Sequence, residues 1–371
     1  MNDRTANKDL LLVGSVPFDT SEEVFRAVAT SGVAEALPCL PDGEVGERLA
    51  WVVMLSHRLY HGHPDIETVK RPAAVNGVPQ WFPRTAADNW AFRLRPGVRE
   101  LHFGDPGWGL GYARDAINSY FVFRTLRENG VLPKGLRFQV SLPLTFSGIG
   151  AAFREPADWL VVAPAFEEAM RAEIATILAK IPPGDLAIQW DMAVELGMLE
   201  RAVWDDSPYW KESGTDPMDL IGGAVERLSA AIPAETMLGY HLCYGTLGGW
   251  PMRHGKDLSV QVECVEMMLR RSGRAVDFVH LPIIDRAPED YYAPLADLRA
   301  GDTKIYLGVV HNVADRDDYR RKLVLAGRYL DDFGVAAPCG LGREAMGKVP
   351  QLLQDHATAL AQLENWRQSR P

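Results

Sequence analysis

The sequence predicts a single (β/α)8 barrel of the TIM type, in the α/β class, spanning residues 1–371. Three observations point there. Short apolar, β-branched runs alternate with longer amphipathic stretches from one end of the chain to the other. Eight runs of the first kind can be counted, each apolar enough to be buried on both faces, as parallel strands are. Polar, chemistry-bearing residues gather at the C-terminal ends of those runs, where such barrels build their active sites. About 250 residues suffice for this architecture, so much of the 371-residue chain belongs to loops.

In chain order, the first strand (10–13) ends in Gly14-Ser15 and is followed by a helix over 22–30. The second (36–39) runs into Pro41-Asp42-Gly43-Glu44, with a helix over 45–60. Residues 61–112 then interrupt the pattern. This stretch is rich in Pro, Gly and aromatics (Trp81, Phe82, Trp90, Phe92, Phe103, Trp108) and shows neither a helical nor an alternating period. Lying between strands two and three, it is expected to cover the barrel mouth, either as an excursion with its own aromatic core or as a substrate lid with Trp108 in contact. A helix over 113–129 precedes strand three (136–142), and one over 164–181 precedes strand four (186–192), which carries Gln189-Trp190-Asp191. After a helix over 217–231, strand five (237–243) ends in His241-Leu242-Cys243, and the Gly-rich insertion 246–257 follows. A helix over 258–271 leads to strand six (275–281) with His280, and strand seven (304–310) leads to His311. A helix over 315–333, strand eight (335–339) ending in Cys339-Gly340, and a closing helix over 347–368 complete the chain.

Composition narrows the function. With 49 acidic against 39 basic residues, a net charge of −10 and no Lys/Arg-rich run, the chain gives a nucleic-acid or anionic-membrane partner no electrostatic support. Small molecules are the expected partners, and oligomeric state is not legible. The first fifteen residues lack a signal-peptide core, and no apolar stretch reaches the eighteen or so residues that cross a bilayer. Four cysteines in a chain of this length do not form a disulfide framework, so a cytoplasmic protein with reduced thiols is expected.

The His-x-Cys pair is central. On a strand, residues i and i+2 share a face, so His241 and Cys243 can both reach one ion, and His280 and Cys339, on later strands, can converge on the same point as further zinc ligands. Each also has a plain alternative: a strand-end cysteine is often a small buried apolar group, and a single histidine a satisfied polar one. Asp42 and Glu44 suit binding of a cationic group or acid–base work, although a Gly-rich turn before a helix explains the same letters. Arg343 suits a substrate carboxylate or a surface ion pair. Cys264 falls inside a helical pattern and reads as core, and His61 and His63 have no evident third ligand.

At these residues the sequence resembles the zinc-dependent catalytic barrel of cobalamin-independent methionine synthase, in the superfamily that also holds uroporphyrinogen decarboxylase. Val13-Gly14-Ser15 is similar to the family's turn that holds the thiol amino acid. Ile188-Gln189-Trp190-Asp191 is similar to its active-site strand end, with Gln189 beside the aspartate. Tyr240-His241-Leu242-Cys243-Tyr244 and Pro338-Cys339-Gly340-Leu341 are similar to its two zinc motifs, and His311 falls where the family has a proton-transfer histidine. The resemblance implies a zinc-dependent methyl or alkyl transferase that activates a thiol, with His311 or Asp191 handling the proton and folate as one conceivable methyl donor. An epoxide or an activated methyl ether would serve equally as donor. This sequence departs from the family in carrying His280 where the third ligand is a glutamate, and in both insertions. A zinc hydrolase or lyase, a metal-free decarboxylase-like barrel and a binding protein without chemistry are the rival expectations.

Overall fold

The computed structural model describes residues 4–6, 8–50, 53–103, 109–201, 214–247, 249–311 and 313–369. The predicted barrel is present. Its eight strands are β1 (Leu10–Leu11), β2 (Cys39–Pro41), β5 (Arg137–Pro143), β6 (Leu186–Met192), β7 (Met237–Leu242), β8 (Phe278–Pro282), β9 (Lys304–Gly308) and β10 (Gly334–Ala336). They pair in the order β1-β10-β9-β8-β7-β6-β5-β2, every pair parallel. The sheet curls into a nearly closed barrel with helices outside it. Inside, Leu11, Val13, Cys39, Ala187, Met237, Phe278, Tyr306 and Ala336 form a small separate core. Gly239 makes that core possible, because a Cβ there would stand 2.1 Å from the Phe278 ring. Among the described residues no helix is long and apolar enough to cross a membrane.

Several boundaries move, for local reasons. The second strand begins only at Cys39, because Ala34–Ala36 closes a 3-10 turn. The helix expected over 45–60 becomes a 3-10 turn at Gly46–Ala50 and a short helix at Val53–Arg58. The helix expected over 315–333 stops at Ala326, where Gly327 makes room for Trp366, whose ring a Cβ would meet at 2.2 Å. Strand nine ends at Gly308 and strand ten at Ala336, so His311 and Cys339 stand in loops beyond their strands.

The 61–112 insertion contains order that its sequence does not announce. β3 (Ile66–Lys70) and β4 (Ala91–Leu94) form an antiparallel pair with an irregular register between Thr68 and Lys70. Twenty residues of Pro- and Gly-rich loop separate the two short strands, which hides their alternation. Its aromatics do pack together: Trp90 stacks on Phe92 with ring centroids 5.7 Å apart, and Tyr60 meets Phe92, Phe103 and Phe153. Trp108 lies outside the described residues.

The register places the site. Asp191 of β6 pairs with His241 of β7, which pairs with His280 of β8. Three polar side chains therefore stand side by side near the C-terminal ends of neighbouring strands.

Candidate active site

A cavity of about 450 Å³ opens at that end of the barrel. His241, Cys243 and Cys339 form part of its wall, and one ligand atom from each lies within 4.8 Å of the others. Cys243 and Cys339 are free thiols with Sγ atoms 3.4 Å apart, and His241 Nε2 is 3.8 Å from Cys339 Sγ. Zinc–sulfur bonds of about 2.3 Å and zinc–nitrogen bonds of about 2.0–2.1 Å in a tetrahedron require ligand separations of roughly 3.5–3.8 Å. The two thiols and the imidazole fit zinc in chemistry, and the Cys243–Cys339 and Cys339–His241 separations match its spacing, the third lying within 4.8 Å. The pair of thiols also shares a proton unevenly. The hydrogen bond from Cys339 holds the Cys243 thiol well below its ordinary value, and the same bond, with burial, raises Cys339.

His280 is not one of the converging atoms, contrary to the expectation that it ligates the same ion. Its Nδ1 is 2.8 Å from His241 Nδ1 and its Nε2 is 3.0 Å from the Ala337 carbonyl. A carbonyl only accepts, so His280 carries its proton on Nε2 and offers the Nδ1 lone pair. His241 Nδ1–H donates to it, which leaves the His241 Nε2 lone pair facing the two thiols. Burial, with His241 alongside, keeps His280 neutral by lowering its pKa well below the ordinary histidine value. Direct strand pairing brings the two rings to 4.8 Å, so His280 supports His241 from behind. Replacing His280 by alanine is therefore expected to lower zinc affinity by about 10–100-fold without changing the number of thiolate ligands. Chelator competition with cobalt absorption reads both, and unchanged affinity would contradict the supporting role.

Beside the thiols are two buried carboxyl groups. Asp191 accepts a 2.7 Å hydrogen bond from Gln189 Nε2, and burial, reinforced by Glu44, raises its pKa well above the carboxylate range. Glu44 is pushed up to about 8, first by burial, with Asp42 adding to the rise and Arg48 opposing it. Its Oε1 is buried without a hydrogen-bond partner. Gly14 allows this approach, since a Cβ there would lie 2.7 Å from that oxygen. Ser15 ties the neighbouring loops together: its hydroxyl accepts from Gly342 N at 3.2 Å and its carbonyl from Leu341 N at 2.6 Å. Gly14, Ser15 and Glu44 all line the cavity.

Other sequence candidates fall elsewhere. Asp42 is engaged by Arg48 at 2.7 Å and accepts from Glu44 N at 2.9 Å, so it shapes the turn. Gln189 is fully buried and divides its amide between the Val13 carbonyl and Asp191, a positioning duty. His311 Nε2 bonds the Ile283 carbonyl at 2.8 Å, its ring faces Trp250, and burial lowers its pKa to about 4. It is not part of the cavity lining. Arg343 does line the cavity, donating to the Leu49 carbonyl at 2.9 Å and lying over the Phe82 ring.

Two residues escaped the sequence reading. Glu195 is fully buried and accepts from the Ser147 amide at 2.8 Å and from its hydroxyl, while that hydroxyl accepts from Ala193 N and Val194 N. This clamp joins the segments after β5 and β6 at the cavity wall, and burial pushes Glu195 up to about 7. Arg253, from the Gly-rich insertion, also lines the cavity. The acidic residue in the otherwise apolar Val194–Leu199 was the one available sign of the first. An irregular loop offered none for the second.

No family model and no curated protein matches the chain. Solved structures do. The B12-independent methionine synthase from Shewanella sp. W3-18-1, in complex with selenomethionine, aligns over 97% of this chain and 98% of its own with TM-score 0.58 and 14% identity. A putative vitamin-B12 independent methionine synthase from Listeria monocytogenes aligns over 91% and 86%, with TM-score 0.46 and 12% identity. A methyltransferase from Methanosarcina mazei aligns over 95% and 94%, with TM-score 0.45 and 10% identity. At such identities the likeness is one of fold.

Proposed function

We propose that the protein is a zinc-dependent transferase that moves a methyl or other alkyl group onto a thiol. The observation that carries this is the convergence of His241 Nε2, Cys243 Sγ and Cys339 Sγ within 4.8 Å on the wall of an accessible cavity. Those three side chains would hold the metal. Zinc, when bound, would supply the Lewis acidity that brings a thiol pKa toward neutrality. His280 keeps His241 in the tautomer a metal requires. Glu44 and Asp191, both facing the cavity, bind a cationic group such as the ammonium of an aminothiol. In the transfer, the sulfur–carbon bond forms as the bond between carbon and the leaving group breaks. Asp191, on the same cavity wall as the two thiols, takes the thiol proton and returns it to the leaving group. The Shewanella protein of the same fold was solved with selenomethionine, a selenoether of the kind that alkylating a selenol would produce.

A three-ligand set also favours a second reading, a zinc hydrolase or lyase, because such a set leaves a position for water. Zinc content and thiol dependence separate the two. The transferase reading expects about one zinc per chain and no turnover of a methyl or alkyl donor until a thiol is added. Donor turnover without any thiol would sink it.

A further inference from the structure

Away from the thiols and carboxyls, the cavity wall is apolar, formed by Leu49, Val53, Val194, Leu247 and Met252. Into this apolar wall come three guanidinium groups: Arg154, Arg253 and Arg343. They belong to three separate segments, the loop after Thr145–Ile149, the insertion after β7 and the loop after Cys339. None has a carboxylate of the described residues within 4.0 Å. Nearby, Arg48 and Arg58 do, pairing with Asp42, Glu47 and Asp115.

An arginine shielded from water without a counter-charge is costly, and the cost is recovered when an anion arrives. Arg253 shows this most clearly. Its Nε is buried without an acceptor, while one terminal nitrogen is held by the Ala193 carbonyl. Gly197 makes the seat for it, since a Cβ there would stand 2.4 Å from that Nε. Burial keeps its pKa below the ordinary arginine value, and Cys243, Glu200 and Glu195 oppose this only electrostatically. Arg343, itself exposed, is oriented by Phe82 and the Leu49 carbonyl, while Cys339 and Glu44 act on it only electrostatically. Arg154 is exposed and makes no ion pair with a described residue.

We propose that Arg154, Arg253 and Arg343 form a subsite for the oxyanion group of the second substrate, an amphiphilic molecule with an apolar or aromatic body. This rests on the transferase reading only in naming that molecule the alkyl donor. The cavity wall then carries groups of both charges. Its carboxyls take the cationic group of the thiol substrate, and the guanidiniums take the anionic donor, whose apolar body packs against the apolar wall. Arginine suits the task because its planar fork meets an oxyanion through two parallel hydrogen bonds.

Calorimetric titration of the full chain with benzoate and with its neutral counterpart benzamide, both with zinc and after chelator treatment, tests the subsite. Benzoate is expected to bind at least about tenfold more tightly than benzamide. Arg253→Gln and Arg154→Gln should each weaken benzoate by about five- to tenfold and leave benzamide unchanged. Arg95→Gln, a surface change whose residue bonds the Pro64 carbonyl, should alter neither. Because Arg154 is exposed and makes no hydrogen bond or ion pair with a described residue, its variant keeps the test decisive if Arg253→Gln fails to fold. Phenyl phosphate binding more tightly than benzoate would identify the head group as phosphate, and the reverse as carboxylate; both support the subsite. Equal affinity for benzoate and benzamide, or variants that bind benzoate as the parent does, would overturn it. Chelated protein reports on the subsite alone, so a failure here is distinct from a failure to find zinc or thiol dependence.

Discussion

Cys243→Ser and Cys339→Ser proteins are expected to fold and to retain less than about a tenth of the parent's zinc, and to lose thiol alkylation by at least about 10³-fold. The size of the effect follows from the donor set. With His280 turned away, each thiol is one of the three atoms that converge among the described residues, and a serine hydroxyl does not ionise near neutral pH to replace a thiolate. The fold should survive because both sulfurs border the cavity instead of filling the core. Cys264→Ser supplies the contrast. That thiol is fully buried in the outer core, and its pKa is raised by burial. Serine there should lower stability by about 1–3 kcal/mol through an unpaired buried hydroxyl and leave zinc untouched. Metal analysis beside thermal melts reads both. If Cys243→Ser keeps its zinc, the metal is held elsewhere and the proposed chemistry fails.

The sequence displayed the barrel and the middle of the site because both rest on local pattern. Strand β6 falls on the residues that its apolar run predicts, and the His-x-Cys spacing puts two donors on one face without any tertiary knowledge. What stayed hidden depends on register and side-chain reach. His280 looks like a fourth ligand when only its strand is known. Its direct pairing with His241, and the Ala337 carbonyl on its far side, make it a support. Asp42 and Glu44 read alike in sequence, two residues apart on a Gly-rich turn, yet Arg48 captures one and leaves the other facing the cavity. Arg253 was invisible because an irregular loop carries no period from which to infer direction.

Glu44→Gln should stabilise the ligand-free protein at alkaline pH while weakening its binding of an aminothiol. Glu44 titrates near 8 in the folded protein, against an ordinary value of 4.5. The folded state therefore favours the protonated carboxyl, and its contribution to stability is largest below about pH 4.5. Between about 4.5 and 8 the unfolded chain releases this proton while the folded protein keeps it, so stability falls as pH rises through that window and levels above it. Glutamine removes the titration. The variant's melting temperature should stay flatter across the window, and its advantage above pH 8 should be on the order of 5 kcal/mol. An ammonium in the cavity reverses the balance, because it stabilises the ionised carboxylate that the empty cavity disfavours. Aminothiol affinity in the parent should then rise with pH as Glu44 ionises, until the ligand's own amine begins to lose its proton. Glu44→Gln should reduce it by about 10–100-fold, the worth of a hydrogen bond to a charged group, while the same thiol without its amine binds both proteins equally. Melting curves over pH and titrations with the two thiols give these results. Equal loss for both thiols would show that Glu44 shapes the cavity without reading the ammonium, and destabilisation at pH 9 would show that its charge is compensated within the fold.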